Sequence, residues 1–173
     1  MKLILPFLFL LISVCLDAQN ISFRHLTIEE GLSDNSVMSI CQDSKGRMWF
    51  ATRNGLNMYD GARVRIYRNE KGISDCLAGN LVEQVICGGK DTLFVKTRQG
   101  VSLYDVRLDK FTTIFTENSS SLYYEKSLFL SAGDSIMRYS GGKFDKICKI
   151  TGKATTKLLV YNDTIMAGTD SGL

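Results

Sequence analysis

One passage of this chain is written twice. Residues 49–60 and residues 94–105 carry threonine, arginine, glycine, tyrosine and aspartate at a single offset, 94 − 49 = 45 residues. A fixed period of that size marks units that stack or sit around an axis, none of which buries its apolar face alone. Such a repeat constrains architecture far more than it constrains a ligand.

Each unit reads as four short antiparallel strands. In the first, Val37, Ile40 and Cys41 mark strand one, and Asp43-Ser-Lys-Gly46 is a turn in which aspartate bonds its own backbone. Met48 to Thr52 is strand two, and Asn54-Gly55 is a strong hairpin signal before Leu56 to Tyr59. Asp60-Gly61 turns the chain into Val64 to Tyr67. The second unit repeats this with Leu81 to Cys87, Thr92 to Thr97, a turn at Arg98-Gln99-Gly100, then Val101 to Tyr104 and Phe111 to Phe115. Repeat three is shorter, with Leu128 to Leu130, Ile136 to Tyr139 and Phe144 in the same slots. A fourth begins near Leu158, and Thr169-Asp-Ser-Gly-Leu173 matches Thr52-Arg-Asn-Gly-Leu56. No window places apolar residues at helical spacing beyond the first residues.

Four-stranded units of about 40–45 residues are propeller blades. The expected fold is all-β, a β-propeller of four-stranded antiparallel blades, with three blades and part of a fourth present. The expected blade bounds are 36–79, 80–117, 118–156 and 157–173, after an opening strand (Ile21 to Ile28) and connection over 19–35. Trp49 and Phe94 are expected to fill the space between neighbouring blades. A propeller has 4–8 blades, so the chain reads as a fragment that breaks off within a blade.

The first residues read as a targeting segment. Lys2 precedes an apolar run from Leu3 to Leu16, and Asp17-Ala18-Gln19 follows. That is the pattern of a secretory signal peptide over 1–18, cut after Ala18. The run is short of the ~20 residues a spanning helix needs. Val14 is bulkier than lipoprotein processing at Cys15 tolerates. Export leaves Cys41, Cys76, Cys87 and Cys148, which allow three disulfide pairings. Cys41 and Cys87 lie in apolar runs and read as small buried hydrophobes. With no Cys-x-x-Cys pair and His25 as the sole histidine, no metal or other cofactor is expected. Net charge is +3 with no concentrated basic run, which argues against nucleic acid.

The stretches Gly31 to Val37, Asp43 to Thr52 and Asn54 to Gly61, together with Phe23-Arg-His-Leu26, resemble the periplasmic sensor region of two-component regulator propeller proteins. These are hybrid histidine kinases of Bacteroidetes. The resemblance implies a sensor for carbohydrate fragments, exported to the periplasm and anchored in the inner membrane when full-length. Its implied partners are further blades, a β-sandwich, a kinase and a DNA-binding region beyond this chain, and a second receptor copy in a homodimer. Any kinase activity would come from those other parts.

Two other readings remain open: a secreted structural or adhesive propeller, and a propeller lyase. A lyase needs an acid or base, most often histidine, and only His25 is present, outside the blades. The repeat residues Asp43, Gly46, Trp49, Thr52, Gly55, Leu56, Tyr59, Asp60, Thr97, Gly100, Tyr104 and Asp105 read as turn chemistry and packing. A glycan or oligosaccharide would meet the loops of one face, where Arg53, Asn54, Arg98 and Gln99 lie beside the connection Asn69 to Gly79.

Overall fold

A computed structural model describes residues 23–89, 91–150, 157–170 and 172. Residues 1–18, read from the sequence as a signal peptide, lie outside the described residues. Blade one consists of β1 (Val37–Gln42), β2 (Met48–Thr52), β3 (Gly55–Tyr59) and β4 (Val64–Tyr67). Blade two is β5 (Val82–Cys87), β6 (Thr92–Thr97), β7 (Gly100–Asp105) and β8 (Lys110–Phe115). Blade three is β9 (Ser121–Tyr124), β10 (Leu128–Ala132), β11 (Ser135–Ser140) and β12 (Lys143–Lys149), and β13 (Lys157–Tyr161) pairs with β14 (Thr164–Gly168). Each sheet is an antiparallel meander in chain order. No helix occurs among the described residues.

The first strands of successive blades are neighbours, β1 beside β5, β5 beside β9 and β9 beside β13. The sheets therefore radiate from a row of inner strands, which is the propeller arrangement. The expected strand over Ile21 to Ile28 is not formed in its described part. Residues 23–28 run without ladder bonds into a turn, where the Thr27 carbonyl accepts from the Glu30 and Leu32 amides.

Two apolar clusters occupy the spaces between blades. Between blades one and two, Trp49 stacks on Tyr67 at 5.7 Å and meets Tyr104 edge-on at 5.2 Å, with Leu93, Val95 and Phe111 around them. Between blades two and three, Phe94 packs against Tyr124 at 5.4 Å, beside Leu122, Leu128 and Leu130. Offset rings at such separations contribute about 0.5–1.5 kcal/mol per pair beyond burial. Trp49 and Phe94 thus hold the inter-blade places expected from the repeat. Tyr104 is buried, but Tyr59 and Tyr139 are only partly so, and Tyr67 of β4 takes the stacking role in the first space.

The repeat residues do the same work in blades one and two, and the threonine does so again after β14. Thr52 Oγ1 donates to the Gly55 carbonyl at 2.9 Å and accepts from the Asn54 amide at 3.2 Å. Thr97 does the same with Gly100 and Gln99 at 3.0 and 3.3 Å, and Thr169 Oγ1 donates to the Gly172 carbonyl at 2.7 Å. Gly55 has φ 122°, and a Cβ there would meet the Tyr67 carbonyl oxygen at 2.6 Å, so the close approach of β4 excludes a side chain. Asp60 Oδ1 accepts from the Ala62 and Arg63 amides, and Asp105 Oδ1 from the Arg107 and Leu108 amides.

Candidate functional site

The face that carries the β2–β3 and β6–β7 turns is built around the connection between blades one and two. The Gly55 amide donates to the Asn80 carbonyl at 2.8 Å and the Arg98 amide to the Leu81 carbonyl at 3.2 Å. Both turns therefore flank residues 68–81. Within the connection, Asn69 Nδ2 donates to the Leu77 carbonyl and the Asn69 amide donates to Asn80 Oδ1, each at 2.6 Å.

The four residues proposed from sequence all lie exposed on these two turns. The structure ties two of them down. Asn54 Nδ2 donates to the Ser33 carbonyl at 3.4 Å, while the Asn54 carbonyl accepts from Arg68 Nε at 3.1 Å. Gln99 lies over Gly79, where its side chain fills the space a Cβ would occupy. Arg53 and Arg98 sit beside them as exposed cations. This places amide, guanidinium and carbonyl groups of neighbouring blades on one surface, a set suited to hydroxyl-rich or anionic ligands.

The repeat extends further back than residue 49. Ser33 and Ala78 are 45 residues apart, as are Asn57 and Ser102. Asn57 Oδ1 accepts from the Ser33 amide and its Nδ2 donates to Ser33 Oγ, both at 2.8 Å. In blade two, Ser102 Oγ accepts from the Ala78 amide at 2.9 Å. Leu32 and Leu77, one residue earlier, are both buried. Blades one and two are thus each locked to the incoming connection by a buried leucine and a polar residue of the third strand.

The turn between β1 and β2 is organised by Asp43. Its Oδ2 accepts from Trp49 Nε1 at 2.9 Å and from Arg47 Nε at 2.7 Å, and Oδ1 accepts from the Lys45 and Arg47 amides. Burial pushes the Asp43 carboxyl up. The hydrogen bonds from Trp49, Arg47 and the two amides outweigh it and hold the group below the usual carboxylate range.

Two polar features were not read from the sequence. A hollow of about 310 Å³ opens among the inner strands and is lined by Ser39, Glu83, Gln84, Lys96 and Lys157, among others. In it the buried Lys96 ammonium pairs with Glu83. β-bulges shift the register between Val37 and Ser39 and between Val82 and Gln84, leaving Met38 and Glu83 out of the ladder. The one available signal was a lysine inside the apolar strand Leu93-Phe-Val-Lys-Thr97. The second feature lies near the outer edge. Tyr104 and Tyr67 hydroxyls donate to Asp109 Oδ1 at 2.6 and 3.2 Å, and Arg65 pairs with Asp109 Oδ2 at 2.6 Å. Burial, with the adjacent Asp109, pushes the Tyr104 phenol well above its usual range. His25 is exposed on the segment before β1.

Residues 31–54 match the model of the family described as two component regulator propeller. Over 66 residues the chain is 44% identical to Histidine kinase P4 of Formosa agariphila, a match that covers 38% of this chain and 5% of that protein. The extracellular domain of a hybrid two component system from B. thetaiotaomicron superposes with a TM-score of 0.75 at 24% identity, over 84% of this chain and 24% of that one. The extracellular domain of a one component system from the same organism gives 0.67 at 18% identity, over 85% and 24%. These two likenesses carry the fold. The chain spans about a twentieth of the length of that histidine kinase and about a quarter of each of these two solved chains, and its likeness to the two component regulator propeller family rests on residues 31–54, a repeat that returns 45 residues later with the same threonine clasp and the same locked connection.

Proposed function

We propose that this chain is the exported sensory propeller region of a two-component signalling receptor, and that it recognises a carbohydrate. The observation that carries the reading is the family repeat over 31–54, supported by the 44% identity to a protein named a histidine kinase. The two structural neighbours are extracellular domains, which supports placement outside the inner membrane. The propeller serves as a binding module, while phosphotransfer belongs to other parts of the receptor, which acts as a homodimer.

The carbohydrate class rests on chemistry. Sugars are bound by groups that both donate and accept in fixed geometry. The loop face offers Asn54, Gln99, Arg53 and Arg98 on a scaffold of paired strands. The test is deletion of the gene encoding this chain in its own organism, followed by transcript profiling on a panel of glycans. The expected result is loss of induction of one gene set by one glycan class. Unchanged transcription on every glycan overturns the proposal and favours a structural or adhesive propeller.

A further inference from the structure

Cys41 lies on β1 and Cys87 on β5, the adjacent inner strands of blades one and two. Their sulfurs lie 2.9 Å apart, and Cys87 Sγ is also 3.0 Å from the Gln42 carbonyl oxygen. Two residues earlier on each strand, Ser39 Oγ donates to the Val85 carbonyl at 3.3 Å and accepts from the Val85 amide at 3.2 Å. The strands are therefore held side by side by groups other than the thiols. A bonded sulfur pair is separated by about 2.05 Å, so the thiols need to approach by less than about one ångström.

The other two cysteines are placed differently. Cys76 Sγ donates to the Ile73 carbonyl at 3.0 Å within its own loop, and Cys148 is exposed on β12. Among the described residues no group of three His, Cys, Asp or Glu side chains is placed to hold a metal ion. The chemistry left to the pair at 41 and 87 is oxidation.

We propose that Cys41 and Cys87 are a site of covalent cross-linking, forming a disulfide that fastens blade one to blade two. The reactant is a disulfide donor, either an oxidised dithiol catalyst or glutathione disulfide. One thiolate attacks a donor sulfur and releases a donor thiol. The second cysteine then displaces the remaining donor thiol and closes the bond. The two protein thiols lose two protons and two electrons, and the donor leaves as two thiols. The bond closes a span of 87 − 41 = 46 residues that contains the rest of blade one, so it restricts the unfolded chain over a whole unit.

The experiment equilibrates the full chain with glutathione disulfide, alkylates remaining thiols under denaturing conditions and maps the peptides by mass spectrometry. The peptides carrying Cys41 and Cys87 are expected as one species that reductant splits, with Cys76 and Cys148 alkylated. Reductant is expected to lower Tm by roughly 5–10 °C. That shift should disappear in the C41S/C87S variant and persist in C76S/C148S. Alkylated Cys41 and Cys87, or either one joined to glutathione or to another cysteine, overturns the proposal, and this reading needs only the wild-type chain.

Discussion

The ring of Phe94 fills the space that a side chain at Gly88 would need, so the two residues form one unit. In blade one the corresponding places, 45 residues earlier, belong to Trp49 and Asp43, joined by a hydrogen bond. Blade two replaces a polar clasp with a steric fit. Introducing a methyl group by Gly88→Ala should cost about 1–3 kcal/mol through overpacking. Urea unfolding checks it, and a Phe94→Leu background should recover part of the loss, because the smaller side chain frees the space. Equal costs in both backgrounds would contradict the fit.

Asp43 gives the fold a defined acid sensitivity. Its folded pKa is depressed, so its contribution is complete above the unfolded value near 3.8 and is lost as pH falls through the lower folded value. Asp43→Asn should cost about 1–3 kcal/mol at neutral pH. The gap between wild type and variant should shrink below about pH 4. Chemical denaturation across pH measures this, and a gap that stays constant into acid would contradict it.

The lock between Asn57 and Ser33 makes a further prediction. Asn57→Ala leaves the part-buried Ser33 groups without their Asn57 partners and should cost about 1–3 kcal/mol. Hydrogen exchange at the Ser33 amide should accelerate, while amides of blade three keep their protection. Ser102→Ala should have the smaller effect, since Ser102 supplies one such bond where Asn57 supplies two.

Glu83 and Lys96 are asymmetric in burial, Lys96 at 5% and Glu83 at 32% side-chain exposure. Glu83→Gln strands a buried ammonium and should be the more damaging change, by about 2–3 kcal/mol. Lys96→Met leaves a carboxylate within reach of water and should cost less than about 1 kcal/mol. Denaturant melts of the two variants give the order directly, and the reverse order would refute the assignment.

Arg53→Ala and Arg98→Ala alter exposed turn residues and should change stability by no more than about 0.5 kcal/mol. If the loop face binds the inducing glycan, both should weaken the transcriptional response at unchanged protein level.

Particular elements show what could be read from the sequence. The hairpins at Asn54-Gly55 and Gln99-Gly100, the turn at Asp43 and the inter-blade places of Trp49 and Phe94 follow from turn chemistry and alternation within a few residues of each other. The residue pairs at 33 and 57 and at 78 and 102 were hidden because each joins a connection to a strand 24 residues away. Tyr67 of blade one meets Tyr104 and Asp109 of blade two across the inter-blade space, through no local pattern. The strand expected at 21–28 had loose alternation but finds no ladder partner over its described part.

The sequence by itself determined the blade. Its period, its strands and its turns are properties of neighbouring residues, and they suffice to specify a four-stranded meander. Only the tertiary structure decided what lies between blades. It brought Cys41 to Cys87, aimed Glu83 at Lys96 through a bulge, and set Gln99 over Gly79. Those contacts depend on how far one sheet is rotated and bulged against the next, and that geometry is fixed by packing across the whole inter-blade surface.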